Sequence, residues 1–117
     1  MNYTVLLVDA ERNSRLQLRS QLAQQRPGWH FLEAGSDDEA IDHSIREPIQ
    51  LVSIHCATGN DLARKLHALL PHSTLIQWFD QGADTPSSLP QLHYLATPID
   101  EAAIRQLLQL SAPALQH

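Results

Sequence analysis

His55 and Cys56 stand side by side and offer the most varied chemistry in the chain. An imidazole can relay protons or take up a phosphoryl group, a thiol can serve as a redox switch, and the two together suit a soft metal. Both follow Ile49 to Ile54, an apolar run that reads as a strand, and neighbouring strand residues point to opposite faces, which works against a joint metal site. Zinc usually takes four ligands, and His30, His43, His67, His72 and His93 show no ligand spacing such as two histidines one helical turn apart. No metal or cofactor is therefore expected. Cys56 reads as a small buried hydrophobe and His55 as a polar residue closing a strand. Asp9 is a carboxylate at the end of another apolar run. It has the chemistry to hold a hard cation beside a second acid, or to cap the helix that follows. Asp37, Asp38 and Glu39 read as favourable charges at a helix N-terminus. Trp78 and Phe79 close a further apolar run, where large rings either fill space or anchor a partner.

The elements that position these residues alternate along the chain. Thr4 to Val8 is a β-branched and aliphatic run of the kind that forms a buried parallel strand. A helical pattern follows, with Leu16, Leu18, Leu22 and Ala23 apolar, Asn13 or Asp9 as its cap, and Pro27-Gly28 as its stop. Trp29 to Glu33 reads as a second strand. Ser36 with Glu39 three residues later forms a capping box for a helix carrying Ala40, Ile41 and Ile45. The third strand, Ile49 to Ile54, precedes a helix over Asn60 to Leu70 with Leu62, Leu66, Leu69 and Leu70 at helical spacing. Ser73 to Phe79 and Leu92 to Ala96 complete five strands, and Asp100 N-caps a last helix with Ile104, Leu107 and Leu108 inward. Strands alternating with helices imply an α/β fold with a parallel sheet covered on both faces. One stretch breaks the pattern: Asp80 to Pro90 holds Gly82, Pro86, Ser87, Ser88 and Pro90, which predicts a loop or single distorted turn instead of a helix. Residues 1–110 are expected to form one domain, and 111–117, with Pro113, a tail or the start of a linker.

Composition narrows the function classes. The 117 residues are 43% hydrophobic and 18% charged, enough apolar content for one packed core. A formal net charge of -5 supplies no nucleic-acid footprint. No apolar run is long enough to span a bilayer, and no basic segment followed by an apolar stretch marks a secretion signal. The single cysteine excludes an internal disulfide and fits a reducing compartment, so a cytoplasmic location is expected.

Three stretches resemble the response-regulator receiver domain. Val5-Leu6-Leu7-Val8-Asp9-Ala10-Glu11 is similar to that family's opening strand, which ends in a pair of acids. The run from Phe31 to Ile41 is similar to its second strand and the start of its second helix, and Tyr94 to Asp100 to its fifth strand, where the family has a lysine followed by a proline. The resemblance implies a doubly wound, five-stranded parallel sheet of the flavodoxin-like, receiver type, with the family's fourth helix shortened or replaced by a loop. It also implies a phosphoacceptor pocket at the carboxyl ends of the strands. Position by position, that pocket is dismantled. Asp9 matches the first acid, but Ala10 stands at the second. His55 aligns with the phosphoacceptor aspartate, Phe79 (or Trp78, if the register slips by one) with the hydroxyl residue closing strand four, and Thr97 with the lysine. The loop after His55 is also shorter than the family's. Metal and positive charge normally offset the negative charge of a phosphoryl group, and neither is supplied here.

The reading that follows is a pseudo-receiver: a module of bacterial signal transduction that works without phosphorylation, by contact with a protein partner or a covalently linked output domain. It is not expected to be an enzyme. Trp78, Tyr94 and Arg105 are the candidate interaction surface, with a homodimer as a further candidate assembly; neither nucleic acid nor membrane is an expected partner. The alternative is a small-ligand sensor that holds a nucleotide or metabolite in the strand-end crevice. Ala10-Glu11-Arg12-Asn13 replaces any glycine-rich phosphate loop, which weighs against it.

Overall fold

The computed structural model describes residues 3–55, 61–80 and 92–111. Its elements run β1 (Thr4–Asp9), α1 (Arg12–Gln25), β2 (His30–Ala34), α2 (Asp37–Arg46), β3 (Leu51–His55), α3 (Asp61–Leu69), β4 (Thr74–Phe79), β5 (Leu92–Ala96) and α4 (Glu101–Ser111). The strands form one sheet in the order β2-β1-β3-β4-β5, and every pairing is parallel. This is the doubly wound five-stranded sheet that the alternation predicts. The chain reverses its direction of progress between β1 and β3, which makes the carboxyl ends of those two strands the topological switch point.

Period-two alternation divides the core between two faces of the sheet. Leu6, Val8, Val52, Ile54 and Leu75 pack with Ala40 of α2 and Leu62, Ala63 and Leu66 of α3. Val5, Leu7, Leu51, Ile76 and Trp78 pack on the other face with Leu18 and Leu22 of α1 and Ile104 and Leu107 of α4. Covering both faces is why β1 is buried from end to end, and why its sequence runs apolar without alternating.

Local signals hold at most helix starts. Ser36 Oγ accepts from Glu39 N at 3.2 Å. The return arm of the capping box lands one residue early, Glu39 Oε1 accepting from Gly35 N at 2.8 Å. Asp100 Oδ1 accepts from Ala103 N at 2.9 Å, capping α4 as read. At α1 the N-cap is Glu11, which makes no side-chain cap, and Asn13 falls inside the helix. Asp9 Oδ1 accepts from Glu11 N at 2.9 Å just ahead of it.

Three predicted core leucines or isoleucines are instead exposed: Leu16 at 38%, Ile45 at 68% and Leu69 at 42%. In each case the buried stripe is an i, i+4 pair that leaves them to one side: Leu18 with Leu22, Ala40 with Ser44, and Leu66 with Leu70. Ser44 tolerates burial because its Oγ donates to Ala40 O at 2.8 Å. The second and third strands start one and two residues later than read, and α4 runs through Ser111, whose side chain is buried. The loop expected over Asp80 to Pro90 lies outside the described residues beyond Asp80, as do Cys56 and the tail after Ser111. Among the described residues no helix is long and apolar enough to cross a membrane.

Candidate functional site

Side chains from the ends of four strands converge beside the switch point. Asp9 and His55 are register partners across the β1–β3 ladder. Strand alternation places both on the face covered by α1 and α4, and His55 Nδ1 lies 3.2 Å from Asp9 Oδ2. On the far side of the ring, His55 Nε2 lies 3.4 Å from Asp80 Oδ1. Thr97 Oγ1 donates to the same Asp80 oxygen at 3.4 Å, across from the backbone bond in which Thr97 N donates to Phe79 O. The result is a chain of acid, imidazole, acid and hydroxyl. A carboxylate only accepts, so both ring contacts are hydrogen bonds when each nitrogen carries a proton; with one proton, one contact is a bond and the other sets a lone pair against an oxygen.

Arg15 and Arg19 of α1 brace this end of the sheet from below. Arg15 donates to Asp9 O at 2.7 Å and to Glu33 Oε1 at 2.9 Å, and Arg19 to Glu33 Oε2 at 2.5 Å. The Arg15 hydrogen bond holds the Glu33 carboxyl below its ordinary value against the opposing effect of burial, with Arg19 adding to the lowering. Both guanidinium groups are thus committed to Glu33 and to a backbone carbonyl, and neither reaches the Asp9 or Asp80 carboxylate.

The predicted pocket positions divide accordingly. Asp9, His55 and Thr97 come together, joined by Asp80. Ala10 is exposed and offers no oxygen from its side chain, while Phe79 falls on the opposite face of the sheet from His55 by alternation. Asp9 accepts from Glu11 N through Oδ1 and meets His55 through Oδ2. Among the described residues no group of three or more His, Cys, Asp or Glu side chains could hold a metal ion.

Trp78 corrects the sequence reading. The sequence assigns it to a candidate interaction surface, but it is only 1% exposed, and its indole Nε1 donates to Ser53 Oγ at 2.7 Å inside the sheet core. The indole fills the space between the sheet and its α1/α4 cover, because position 78 shares a face with Ile76 and Leu51. Tyr94 is half-buried against the opposite cluster, and it lines a groove beside α4 with Gln106 and Gln109. Arg105 is exposed on α4, where its guanidinium pairs with Glu101 at 2.8 Å; it does not line that groove. The three residues therefore do not form one surface.

Asp80 is the participant that sequence reading missed. An acid directly after a predicted strand end, in a sheet whose other strand ends carry polar residues, was the available signal. Beside it opens a cleft of about 270 Å³. Among the described residues its lining is polar at His55, Asp80, Thr97, Ser14 and Gln17 and apolar at Leu18, Pro98 and Ile99.

No protein-family model matches the sequence, and no curated protein matches it. The fold, however, has many counterparts among solved structures. A two-component transcriptional regulator from Clostridium phytofermentans superposes with a TM-score of 0.79 at 20% identity, covering 94% of this chain and 91% of that one. A protein described as an adenylate cyclase from Rhodopirellula baltica gives 0.75 at 16% identity over 95% and 87%. A response regulator from Burkholderia pseudomallei, solved with a phosphorylated aspartic acid, a calcium ion and citrate, gives 0.69 at 22% identity over 92% and 67%.

Proposed function

We propose that this chain, which has the fold of response-regulator receiver domains, is a cytoplasmic module of bacterial two-component signalling that works without an aspartyl phosphate. Its output passes by contact with a protein partner or a linked output domain, not by catalysis. The observation that carries this reading is the placement of His55 at the end of β3, held between Asp9 and Asp80. An acyl phosphate needs a carboxylate free to attack, a cation to neutralise it and donors for its oxygens. In this cluster the strand-three position is an imidazole, Asp9 contacts Glu11 N and His55, and no lysine or arginine bonds either carboxylate among the described residues. The groove beside Tyr94 and α4 is the first candidate for the contact face.

The test is mass spectrometry of the chain incubated with magnesium and acetyl phosphate, with calorimetry against beryllofluoride. No adduct and no heat of binding are expected. A stable phosphoryl adduct would overturn the reading. The alternative, a small-ligand sensor, draws on the cleft beside His55. Among the described residues no lysine or arginine lines that cleft, so it is poorly matched to a nucleotide's phosphates. Saturable thermal stabilisation by nucleotides, cyclic dinucleotides included, would favour the alternative.

A further inference from the structure

The cleft beside His55 has a chemical polarity of its own. Among the described residues its polar lining consists of the Asp80 carboxylate, the His55 ring, two hydroxyls (Ser14 and Thr97) and the Gln17 amide, with no lysine or arginine among them. Asp80 is 75% exposed, and its side-chain contacts among the described residues both engage Oδ1 and not Oδ2. A second carboxylate, Asp9, lies directly behind the imidazole. The rest of the lining is the opposite in character: Leu18, Pro98 and Ile99 contribute hydrocarbon. A group that satisfies both parts has an aliphatic stem to lie against the apolar residues and a cationic head to reach the carboxylate. Lysine and arginine side chains are built in this way. An anion is disfavoured on the same grounds, because it would meet carboxylates and no cation.

We propose that this cleft is the socket for a basic side chain, arginine or lysine, presented by a partner protein. The proposal rests on the reading that the chain acts by protein contact, and it adds a second point of contact that shares no lining residue with the groove beside Tyr94. The head group would pair with Asp80, with the Ser14 and Thr97 hydroxyls and the Gln17 carbonyl as further acceptors. The stem would cover Leu18 and Ile99. Charge complementarity of this kind steers encounter and fixes register, and arginine is enriched among the residues that dominate interface energetics. The chain as a whole, with 13 acidic against 8 basic residues, favours approach by a basic surface.

The experiment is a titration of the uniformly ¹⁵N-labelled full chain followed by two-dimensional NMR. The probes are Nα-acetyl-arginine amide, Nα-acetyl-lysine amide, the uncharged isostere Nα-acetyl-citrulline amide, and 1,4-diaminobutane. Saturable shifts are expected with the two basic probes at the amides of Ser14, Gln17, Thr97 and Ile99, and none with citrulline. Asp80→Asn should weaken binding about two- to fivefold, the range for an exposed charge pair. Asp42→Asn, which changes net charge equally but lies on α2, should not weaken it. Both acids are more than half exposed, so neither change threatens the fold. Shifts with no clustering, equal shifts with citrulline, or equal losses in the two variants would each overturn the proposal. Diaminobutane binding about tenfold or more tighter than either blocked amino acid would make the site one for a free amine and overturn the partner assignment. A phosphoryl adduct in the mass experiment, with these shifts intact, would instead remove the phosphate-independent reading and leave the socket standing.

Discussion

Replacing Trp78 by phenylalanine separates its two proposed roles, because the ring is either a structural prop or a partner anchor. The indole is 1% exposed and Ser53, its hydrogen-bond partner, is 2% exposed. Losing the pyrrole half of a buried ring leaves a cavity worth about 1–2 kcal/mol. It also strands the Ser53 hydroxyl in the core, which adds about 1–3 kcal/mol. Ser53→Ala alone strands the indole N–H instead, again about 1–3 kcal/mol. The double change removes both polar partners and keeps only the cavity, so it should be less destabilising than the sum of the two by about 2–6 kcal/mol, the two stranding penalties together. Urea unfolding read by circular dichroism at the helix band is the assay, since one of only two tryptophans is removed and fluorescence would not compare across variants. With a slope of about 1–2 kcal/mol/M for a domain of this size, Trp78→Phe should lower the midpoint by about 1 M or more. Additive effects, or a midpoint unchanged by Trp78→Phe, would refute the assignment of the ring to the core.

Two further outcomes follow from the geometry. Glu33 has a folded-state pKa below its ordinary value through the Arg15 hydrogen bond, so its contribution is fully present above pH 4.5 and is lost as pH falls through the lower folded value. Wild type should therefore exceed Glu33→Gln in stability by about 1 kcal/mol near neutral pH, and the two unfolding midpoints should converge in acid; a gap that widens in acid would contradict the pairing. Tyr94→Ala and Arg105→Ala probe the contact face: with any captured partner, Tyr94→Ala should weaken binding about tenfold or more and Arg105→Ala by less than about threefold, since Arg105 lies outside the groove. Equal, negligible effects in a binding assay would move the face elsewhere.

What was legible in the sequence was what acts over short distances. Thr4 to Val8 announces a doubly covered strand because its own residues carry the whole signal, and Ser36 with Glu39, or Asp100 ahead of Ala103, is a contact within one helical turn. The candidate site is made of the opposite kind of contact. Asp9 meets His55 across 46 positions and His55 meets Asp80 across 25, and only the register of β1, β3 and β4 brings them within reach. Alignment of strand ends could nominate Asp9, His55 and Thr97, because each closes a recognisable run, but Asp80 stands one residue past such a run and looked like the start of a loop. Trp78 was misplaced for a related reason. Hydrophobicity at the end of a strand does not say which face the ring takes, and the deciding partner, Ser53, is an unremarkable serine in the middle of β3. The same logic accounts for the braces: Arg15 and Arg19 look like the solvent side of an amphipathic helix until Glu33 of β2 is set beside them. A dismantled pocket is thus readable as a list of missing groups, whereas what replaces them is readable only once the strands are in register. The His55 ring between two acids is a built arrangement and not a vacancy, and that is why its chemistry, a surplus of acceptors beside apolar residues, points to a cation from outside the chain.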